Sequence, residues 1–411
     1  MGRGAGMTVN SDAPATFEYN PFAPSFDEDP HPTYSFLREH APVFFWELAG
    51  VHLISRYADV DRLLKDRRLA LPGQEPDRPE PRTEGGAIHR RLMDNGFFGL
   101  GKSDHVRVRR LVTPAFAPRE AARRHAAIES IVSAIVDSWG DRSEVDVVTD
   151  FARHIPVRVM SHLLAIPEEH DELFVRFSQS MLATVVPWLS PEEFDAHVEV
   201  FPPAIEMITS LIEERRVTPG DDLLSQLVSM CDEGDRLSVD ELLGIVASLI
   251  AAGAETSVHL IGYGMRTLLD HPDDLAAIRA DFSLLPNALA EASRYDSFAK
   301  HGLSRTVLED CTLHGVELKA GSKLVMLVAS ALRDPAVFDE PDRFDIHREP
   351  TRLMFGAGSH FCLGHALARG EAETAIGLLL RRFPALRSAG PPVFEPNAVR
   401  RSMVSLPVHL R

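Results

Sequence analysis

Residues 355–364 read FGAGSHFCLG and place one cysteine, Cys362, between a glycine-rich run and the apolar start of a helix. The chain's two other cysteines lie far away in the sequence, so neither a disulfide nor a zinc site is expected here. Gly356 and Gly358 would permit the positive φ angles of a tight loop, and Gly364 would let a flat group approach the helix closely. Peptide N–H groups at the start of the helix would donate to the sulfur. The stretch therefore predicts a loop that holds a single thiolate.

A lone thiolate in such a loop suits axial ligation of a haem iron, because the sulfur pushes electron density toward bound oxygen. The stretch closely resembles the haem-binding signature of the cytochrome P450 family, in which the cysteine is the proximal ligand. The resemblance implies that haem b is the cofactor, that Cys362 is the metal ligand, and that Phe355, Gly356 and Gly364 lie against it. An isolated cysteine would by default be a buried structural residue, but the complete motif argues against that interpretation.

Composition narrows the class of protein. The chain has 411 residues, of which 45% are hydrophobic and 25% charged, as is ordinary for a globular protein, and it contains no Gly/Ser linker or fixed repeat. Its net charge of −17 argues against nucleic acid or an anionic membrane as a partner. Three widely spaced cysteines suit a reducing cytosol, and the N-terminus shows no apolar signal core. We expect a cytoplasmic monomer with no membrane anchor, disordered over residues 1–20 and forming a single domain over residues 21–411.

Hydrophobic periodicity predicts a mainly α fold with a minor β portion. Helices are expected at Ala126–Trp139 and Ile155–Leu164, and strands at Val51–Tyr57, Arg305–Ala320, Lys323–Val328 and in the last ten residues. Residues 71–86 are rich in proline, glycine and charge, which predicts a surface loop. The resemblance implies the single-domain P450 fold, in which haem lies between a long central helix and the C-terminal cysteine loop.

A long helix is predicted across the middle of the chain. The sequence SVDE at 238–241 is a capping box, and His271-Pro272 ends the helical pattern after about Asp270. About 31 residues at 1.5 Å each give a rod of roughly 46 Å, long enough to cross a domain. Because this helix is apolar on nearly every side, we expect it to be buried.

The centre of this helix contains residues that a buried helix does not favour. The string AGAET at 252–256 interrupts the apolar run, although a mid-helix glycine and a buried carboxylate are both costly. A threonine hydroxyl that bonds back to the preceding turn would bend the helix and open a small groove. The string resembles the family's oxygen-binding motif, which implies that Ala252 lies beside the haem, Thr256 hydrogen-bonds the activated oxygen and Glu255 relays protons. The alternative is a helix kink with an incidental polar pair.

Glu291 and Arg294 stand at i,i+3 on a short predicted helix, so that their side chains can pair. They resemble the family's ExxR motif, in which the pair is buried and supports the cysteine loop. Arg348 occupies the position from which family members supply a third charged partner. Because a buried pair needs further hydrogen-bond partners, we interpret these three residues as structural support.

The resemblance further implies side chains that hold the haem propionates through charge-assisted bonds. His105 and Arg109 stand at i,i+4 on one predicted helix, and Arg305 and His360 complete the set.

The substrate pocket is expected to be mainly apolar. By resemblance its candidate lining residues are Phe97, Phe98, Leu100, Val186, Ala251, Phe298 and Met403. Lys300 and His301 stand where apolar pocket residues are more usual, and they indicate either an anionic or strongly polar group on the substrate or side chains turned to solvent or to a propionate. Leu332 replaces an asparagine that many bacterial members have, and in this the chain resembles myxobacterial members acting on macrolides.

Positive charge is concentrated on one predicted helical region of this acidic chain. The arginines concerned are Arg107, Arg110, Arg119, Arg123 and Arg124. In the family this region flanks the thiolate side of the haem, so the resemblance implies that the patch attracts an acidic ferredoxin.

The resemblance implies a haem-thiolate monooxygenase. It would hydroxylate or epoxidise an apolar small molecule, either a terpenoid, a steroid, a macrolide or another polyketide, or a fatty acid. The reaction would use O2 and two electrons from a ferredoxin and its reductase. One alternative is a peroxide-driven peroxygenase, against which the retention of Glu255 and Thr256 counts. Another is a catalytically silent haem-binding or recruitment module, which should have lost the AGAET string or the basic patch.

Overall fold

Helices dominate the computed structural model, which describes residues 17–71, 80–184, 189–232, 237–300, 302–395 and 400–411. The α-helices within these ranges are α1 Pro24–Glu28, α2 His31–His40, α3 Tyr57–Leu64, α4 Glu84–Asn95, α5 Lys102–Val112, α6 Pro118–Arg123, α7 His125–Asp137, α8 His154–Leu164, α9 Asp171–Ala183, α10 Pro191–Val198, α11 Phe201–Val217, α12 Leu223–Asp232, α13 Val239–Asp270, α14 Pro272–Ala280, α15 Leu285–Tyr295, α16 Val328–Ala331 and α17 His365–Arg382. The strands are β1 Val43–Trp46, β2 Val51–Ile54, β3 Leu69–Ala70, β4 Glu144–Asp146, β5 Leu303–Val307, β6 Cys311–Leu313, β7 Val316–Leu318, β8 Lys323–Met326, β9 Arg387–Ser388, β10 Val393–Glu395, β11 Ser402–Ser405 and β12 Pro407–His409. The predicted fold class, mainly α with minor β, is confirmed.

The chain divides into two compact units. Unit 1 comprises Met1–Leu71, Ala290–Phe361 and Phe394–Ser402, and unit 2 comprises Pro72–Leu289, Cys362–Val393 and Met403–Arg411. The single domain expected over residues 21–411 stays a prediction. Residues 1–16 of the expected disordered N-terminus lie outside the described residues, whereas Tyr19 is buried in unit 1 against Phe26 and Trp46.

Unit 1 is built on a five-stranded sheet of order β1-β2-β8-β5-β3. Its strands are antiparallel neighbours except β2 and β8, which run parallel with Val51 opposite Lys323. β6 and β7 form a separate hairpin. Apolar residues of β2, β5, β8 and α3 make one core with the chain around Leu353. This core supports the loop that runs toward the cysteine motif.

Unit 2 is organised around α13, which packs against α4, α8, α9 and α17. Ser238 caps α13 as predicted, because its hydroxyl accepts from the Glu241 N–H while the Glu241 carboxylate accepts from the Ser238 N–H. Among the described residues α13 is long and apolar enough to cross a membrane, but 72% of its most apolar window is buried. It is therefore the core helix of unit 2, as its all-round apolar surface predicts.

The predicted loop at residues 71–86 is partly wrong. Residues 72–79 lie outside the described residues, but the first turn of α4 covers residues 84–86. Thr83 caps that turn by accepting a 3.1 Å bond from the Gly86 N–H. A Cβ at Gly85 would stand 2.1 Å from the Val198 carbonyl oxygen, so this glycine serves close helix packing.

Candidate active site

The Cys362 thiol lies at the edge of unit 2, three residues before α17 begins at His365. Burial raises the pKa of the thiol, while a hydrogen bond from the Gly364 N–H and the positive charge of Arg109 oppose that rise. Where a Cβ would stand on Gly364 there is no atom within 4 Å. The sulfur therefore has the predicted N–H donor, and open space lies beside the helix start.

The glycine-rich part of the motif forms a tight loop in unit 1. Gly356 and Gly358 have φ angles of 77° and 71°, as predicted. A Cβ at Gly358 would also stand 2.9 Å from the Leu64 carbonyl oxygen. Phe355 and His360 are half-buried in this loop, on either side of the two glycines.

The centre of α13 exposes two side chains although the helix around them is buried. Ala252 and Thr256, one helical turn apart, are exposed, and Glu255 beside them is half-buried. The Thr256 hydroxyl donates a 2.7 Å hydrogen bond to the Ala252 carbonyl, which is the predicted bond back to the preceding turn. The helix nevertheless continues without interruption to Asp270. This face of α13 therefore borders open space of the kind that a bound group could fill.

A buried carboxylic acid adjoins this turn. Glu371 of α17 is 1% exposed, and the Ser257 hydroxyl donates a hydrogen bond to it. Burial raises the pKa of Glu371 from 4.5 to about 7, and the bond from Ser257 opposes that rise. The sequence analysis missed this pair. The available signal was a lone acid on the apolar face of α17, four residues from both Leu367 and Ala375.

The predicted propionate ligands are placed in both units. In unit 2, His105 is buried, and burial together with Arg109 lowers the pKa of its imidazole. In unit 1, Arg305 is buried, and burial lowers the pKa of its guanidinium to about 10. Because its side chain bonds the Ser304 carbonyl and is near no carboxylate of the described residues, an anionic group would suit it.

The three predicted support residues meet in unit 1. Arg294 and Glu291, only 1% and 3% exposed, form a two-bond pair at 2.7 and 2.8 Å. Arg348 donates a 3.1 Å bond to the same carboxylate. Arg294 also donates to the carbonyls of Leu332 and Pro341, so its charge is well solvated by protein. The geometry is that of a structural cluster.

The predicted pocket residues differ in their burial. Val186 lies outside the described residues. Leu100, Ala251 and Met403 are buried, and Met403 lies against Gly262 of α13. Phe98 is 38% exposed, and Phe97 and Phe298 are half-buried. On α13 it is therefore Ala252, rather than Ala251, that faces open space.

Lys300 belongs to the packing of unit 1. Its ammonium is buried and pairs with Asp27 at 2.7 Å, while its carbonyl accepts from the Tyr34 hydroxyl. The side chain is thus committed to a protein carboxylate. His301 lies outside the described residues.

Three of the five arginines of the predicted basic patch have partners within the described residues. Arg107 bonds Glu241 at the start of α13, Arg123 pairs with Glu120, and Arg124 donates to the Ala115 carbonyl. Arg110 and Arg119 are exposed.

The residues present fit a haem. A cysteine thiol with a backbone N–H donor, a glycine with open space beside it and a small-residue helix face are the donor set and cradle that a thiolate-ligated macrocycle needs. A sequence profile described as Cytochrome P450 matches residues 38–405. The chain belongs to the cytochrome P450 family. It is accordingly a P450 monooxygenase that takes protoporphyrin IX haem iron as its cofactor.

Relatives of this P450 are similar over nearly its whole length. The Epothilone C/D epoxidase of Sorangium cellulosum is 36% identical over 406 residues, 98% of this chain and 97% of that protein. The 6-deoxyerythronolide B hydroxylase of Saccharopolyspora erythraea is 36% identical over 402 residues, 94% of this chain and 97% of that protein. The epothilone D-bound structure of cytochrome P450epoK has a TM-score of 0.88 and 34% identity, covering 96% of this chain and 100% of that one.

Proposed function

We propose that this P450 oxidises a macrolactone-type polyketide, by epoxidation of a double bond or hydroxylation of a C–H bond. The observation that carries the substrate class is the similarity over nearly the whole chain to two enzymes named for macrolide substrates. The small, apolar residues on the open face of α13, Ala252 above all, are compatible with a bulky apolar ligand.

The polar residues near the open face have these parts in the proposed reaction, in which Glu255, half-buried beside Thr256, would relay protons. When bound, haem supplies O2 activation with two electrons. Cys362 would hold the iron as thiolate, and the Gly364 N–H would moderate the charge on the sulfur. The Thr256 hydroxyl, which the Ala252 carbonyl orients, would be held for hydrogen bonding on the open face of α13. Because its pKa is about 7, Glu371 can hold or release a proton near neutral pH.

His105, Arg109, Arg305 and His360 would anchor the two haem propionates. Arg305 contributes a buried guanidinium, and His105 contributes a buried imidazole. The Glu291, Arg294 and Arg348 cluster would hold unit 1's part of the cysteine loop in place.

A ferredoxin with its reductase is the proposed electron donor. Arg110, Arg119 and Arg123 are exposed arginines that would attract its acidic surface, and of these Arg123 also pairs with Glu120. Charge reversal at Arg110 and Arg119 should raise the ferredoxin concentration needed for half-maximal reduction and weaken its dependence on salt. The peroxygenase and the silent haem module stay the alternatives.

The first experiment is the absorbance spectrum of purified protein, reduced and exposed to carbon monoxide. We expect a strongly red-shifted Soret band in the natural protein and its loss in Cys362→Ser. Epothilone D, a steroid and a fatty acid are then titrated against the ferric protein, and the macrolactone should give the largest spin-state shift.

A histidine-type band would overturn the haem-thiolate assignment, and a stronger response to the steroid or fatty acid would overturn the substrate class. Product formed with ferredoxin and reductase, and not with peroxide alone, separates the monooxygenase from both alternatives.

A further inference from the structure

The central turn of α13 is held from outside by other helices of unit 2. Each contact is made at a different residue of the turn. These contacts are Ser178 of α9 to the Ala251 carbonyl, Met160 of α8 to Gly253, and Glu371 of α17 to Ser257.

The Ser178 contact is a hydrogen bond made in a fully buried environment. Ser178 is 0% exposed, and its hydroxyl donates to the Ala251 carbonyl at 3.2 Å. A carbonyl oxygen has two lone pairs, so it can accept this bond as well as one from its own helix. The next carbonyl, that of Ala252, accepts the Thr256 hydroxyl in the same way. Two successive carbonyls beside the open face therefore each have a side-chain donor, one from α9 and one from α13.

The C-terminal end of α9 has an attachment of its own. Thr184 donates a 2.8 Å bond from its hydroxyl to the Met181 carbonyl, and its oxygen lies 3.0 Å from His89 Nε2 of α4. Ser178 and Thr184 are six residues apart, about 9 Å along the helix. α9 is thus fixed to α4 at its end and to the central turn of α13 near its middle. Leu182, between these two points, lies four residues before Val186, which the resemblance assigns to the pocket lining.

We propose that Ser178 is a positioning residue that couples the placement of α9 to the Ala251–Thr256 turn of α13. The proposal rests on the proposed function. At 3.2 Å the bond is longer than the roughly 2.5–3.0 Å usual for an O–H···O bond, so a small outward shift of α9 breaks it. Breaking the bond leaves the buried Ser178 hydroxyl without this acceptor and removes one hydrogen bond from the buried Ala251 carbonyl. Both changes are unfavourable. A substrate that holds α9 in place therefore also holds the Ala251 carbonyl. This carbonyl is next to that of Ala252, which orients the Thr256 hydroxyl.

The test compares Ser178→Ala, Ser178→Val and Ser178→Thr with the natural protein, using epothilone D as substrate. Threonine and valine have nearly the same shape, so their difference isolates the hydroxyl from packing. Ser180→Ala, a half-buried serine on the same helix, is the control for a general effect on α9. The measurements are product formed per NADPH, hydrogen peroxide released, and amide hydrogen exchange of residues 248–258 with and without substrate.

We expect the alanine and valine variants to keep the thiolate-type carbon monoxide band. They should lose at least threefold in product per NADPH, release correspondingly more peroxide, and lose the protection of residues 248–258 that substrate gives. The threonine variant should approach the natural protein, and Ser180→Ala should match it.

Equal coupling and exchange in the threonine and valine variants, or an alanine variant that behaves as the natural protein, would overturn the role of Ser178 while leaving the proposed function intact. A natural protein that lacks the thiolate band would overturn the proposed function itself, and the inference with it. The alanine change removes a single oxygen atom, so it remains informative even where the larger valine fails to fold.

Discussion

At the scale of single residues, the most consequential finding is an acid buried beside the proposed oxygen site. Burial of Glu371 favours its neutral form, so the folded protein holds this proton more tightly than the unfolded chain does. The carboxyl group therefore stabilises the fold less as the pH rises from about 4.5 to about 7, and the loss is complete above that.

Glu371→Gln should remove this pH dependence. We expect the natural protein to lose up to about 3 kcal/mol relative to the variant between pH 5 and pH 8, the equivalent of the pKa shift. Thermal midpoints of both proteins measured across this range test it, with the exposed Glu129→Gln as control. A constant difference between the variant and the natural protein would mean that Glu371 is not buried as a neutral acid. Turnover of Glu371→Gln should also lose its inflection near pH 7, because the amide cannot release a proton.

Gly358 offers a second residue-scale prediction, since it combines a positive φ with a close backbone contact. Gly315 has a similar φ of 81° but no atom within 4 Å of the place where a Cβ would stand. Gly315→Ala should therefore cost only the conformational penalty, about 1 kcal/mol. Gly358→Ala should cost clearly more, because the Leu64 carbonyl blocks the added carbon. Equal losses in thermal midpoint for the two variants would show that the contact yields easily.

At the scale of elements, local chemistry predicted α13 well. Its start follows from a capping box, its end from His271-Pro272, and its burial from an apolar surface on all sides. The Thr256 bond to Ala252 is also local, since both residues share one turn. Contacts between elements could not be found in this way. No sequence pattern relates Ser178 to Ala251, or Glu371 to Ser257, because each pair forms only when distant helices pack.

The start of α4 shows how packing overrides local preference. Gly85 and Gly86, with their charged neighbours, are typical of a loop. Gly85 is nevertheless in α4, where the absence of a side chain lets the backbone of Val198 pack closely against the helix. Packing likewise decides the partner of Arg107 in α5, which bonds Glu241 at the start of α13.

The capping boxes of α13 and α10 give a matched test of a helix start. Ser238 and Ser190 make the same two reciprocal bonds with Glu241 and Glu193. Ser238→Ala should lower the free energy of unfolding by about 1 kcal/mol, because α13 is the core of unit 2. Ser190→Ala should cost less than half of that, since the short α10 can fray locally without global unfolding. Chemical denaturation measures both, and hydrogen exchange of residues 190–194 should rise only in the α10 variant. Equal global losses would contradict the distinction.

At the scale of the whole chain, the family resemblance predicted what local patterns could not, namely that Glu291, Arg294 and Arg348 come together. It left Lys300 open between the substrate, solvent and a haem propionate, whereas the ammonium meets the Asp27 carboxylate, which is far away in the sequence. Asp27 and Lys300 are both buried in unit 1, and Phe26 lies beneath the ammonium at 5.4 Å. The pair joins the N-terminal segment to the chain before β5.

This ion pair makes a prediction about how the N-terminal segment is held. Lys300→Met should cost about 3 kcal/mol in unfolding free energy, because it leaves the Asp27 carboxylate buried without its partner. Asp27→Leu should be similarly costly for the ammonium, but the double variant should recover much of the loss, since two apolar side chains replace two charges. Denaturation of the four proteins measures the coupling between the positions. Losses that simply add would show that each charge is satisfied independently. If Lys300→Met gives the same substrate-induced spin-state shift as the natural protein, this would agree with a lysine that stabilises the fold and does not bind the substrate.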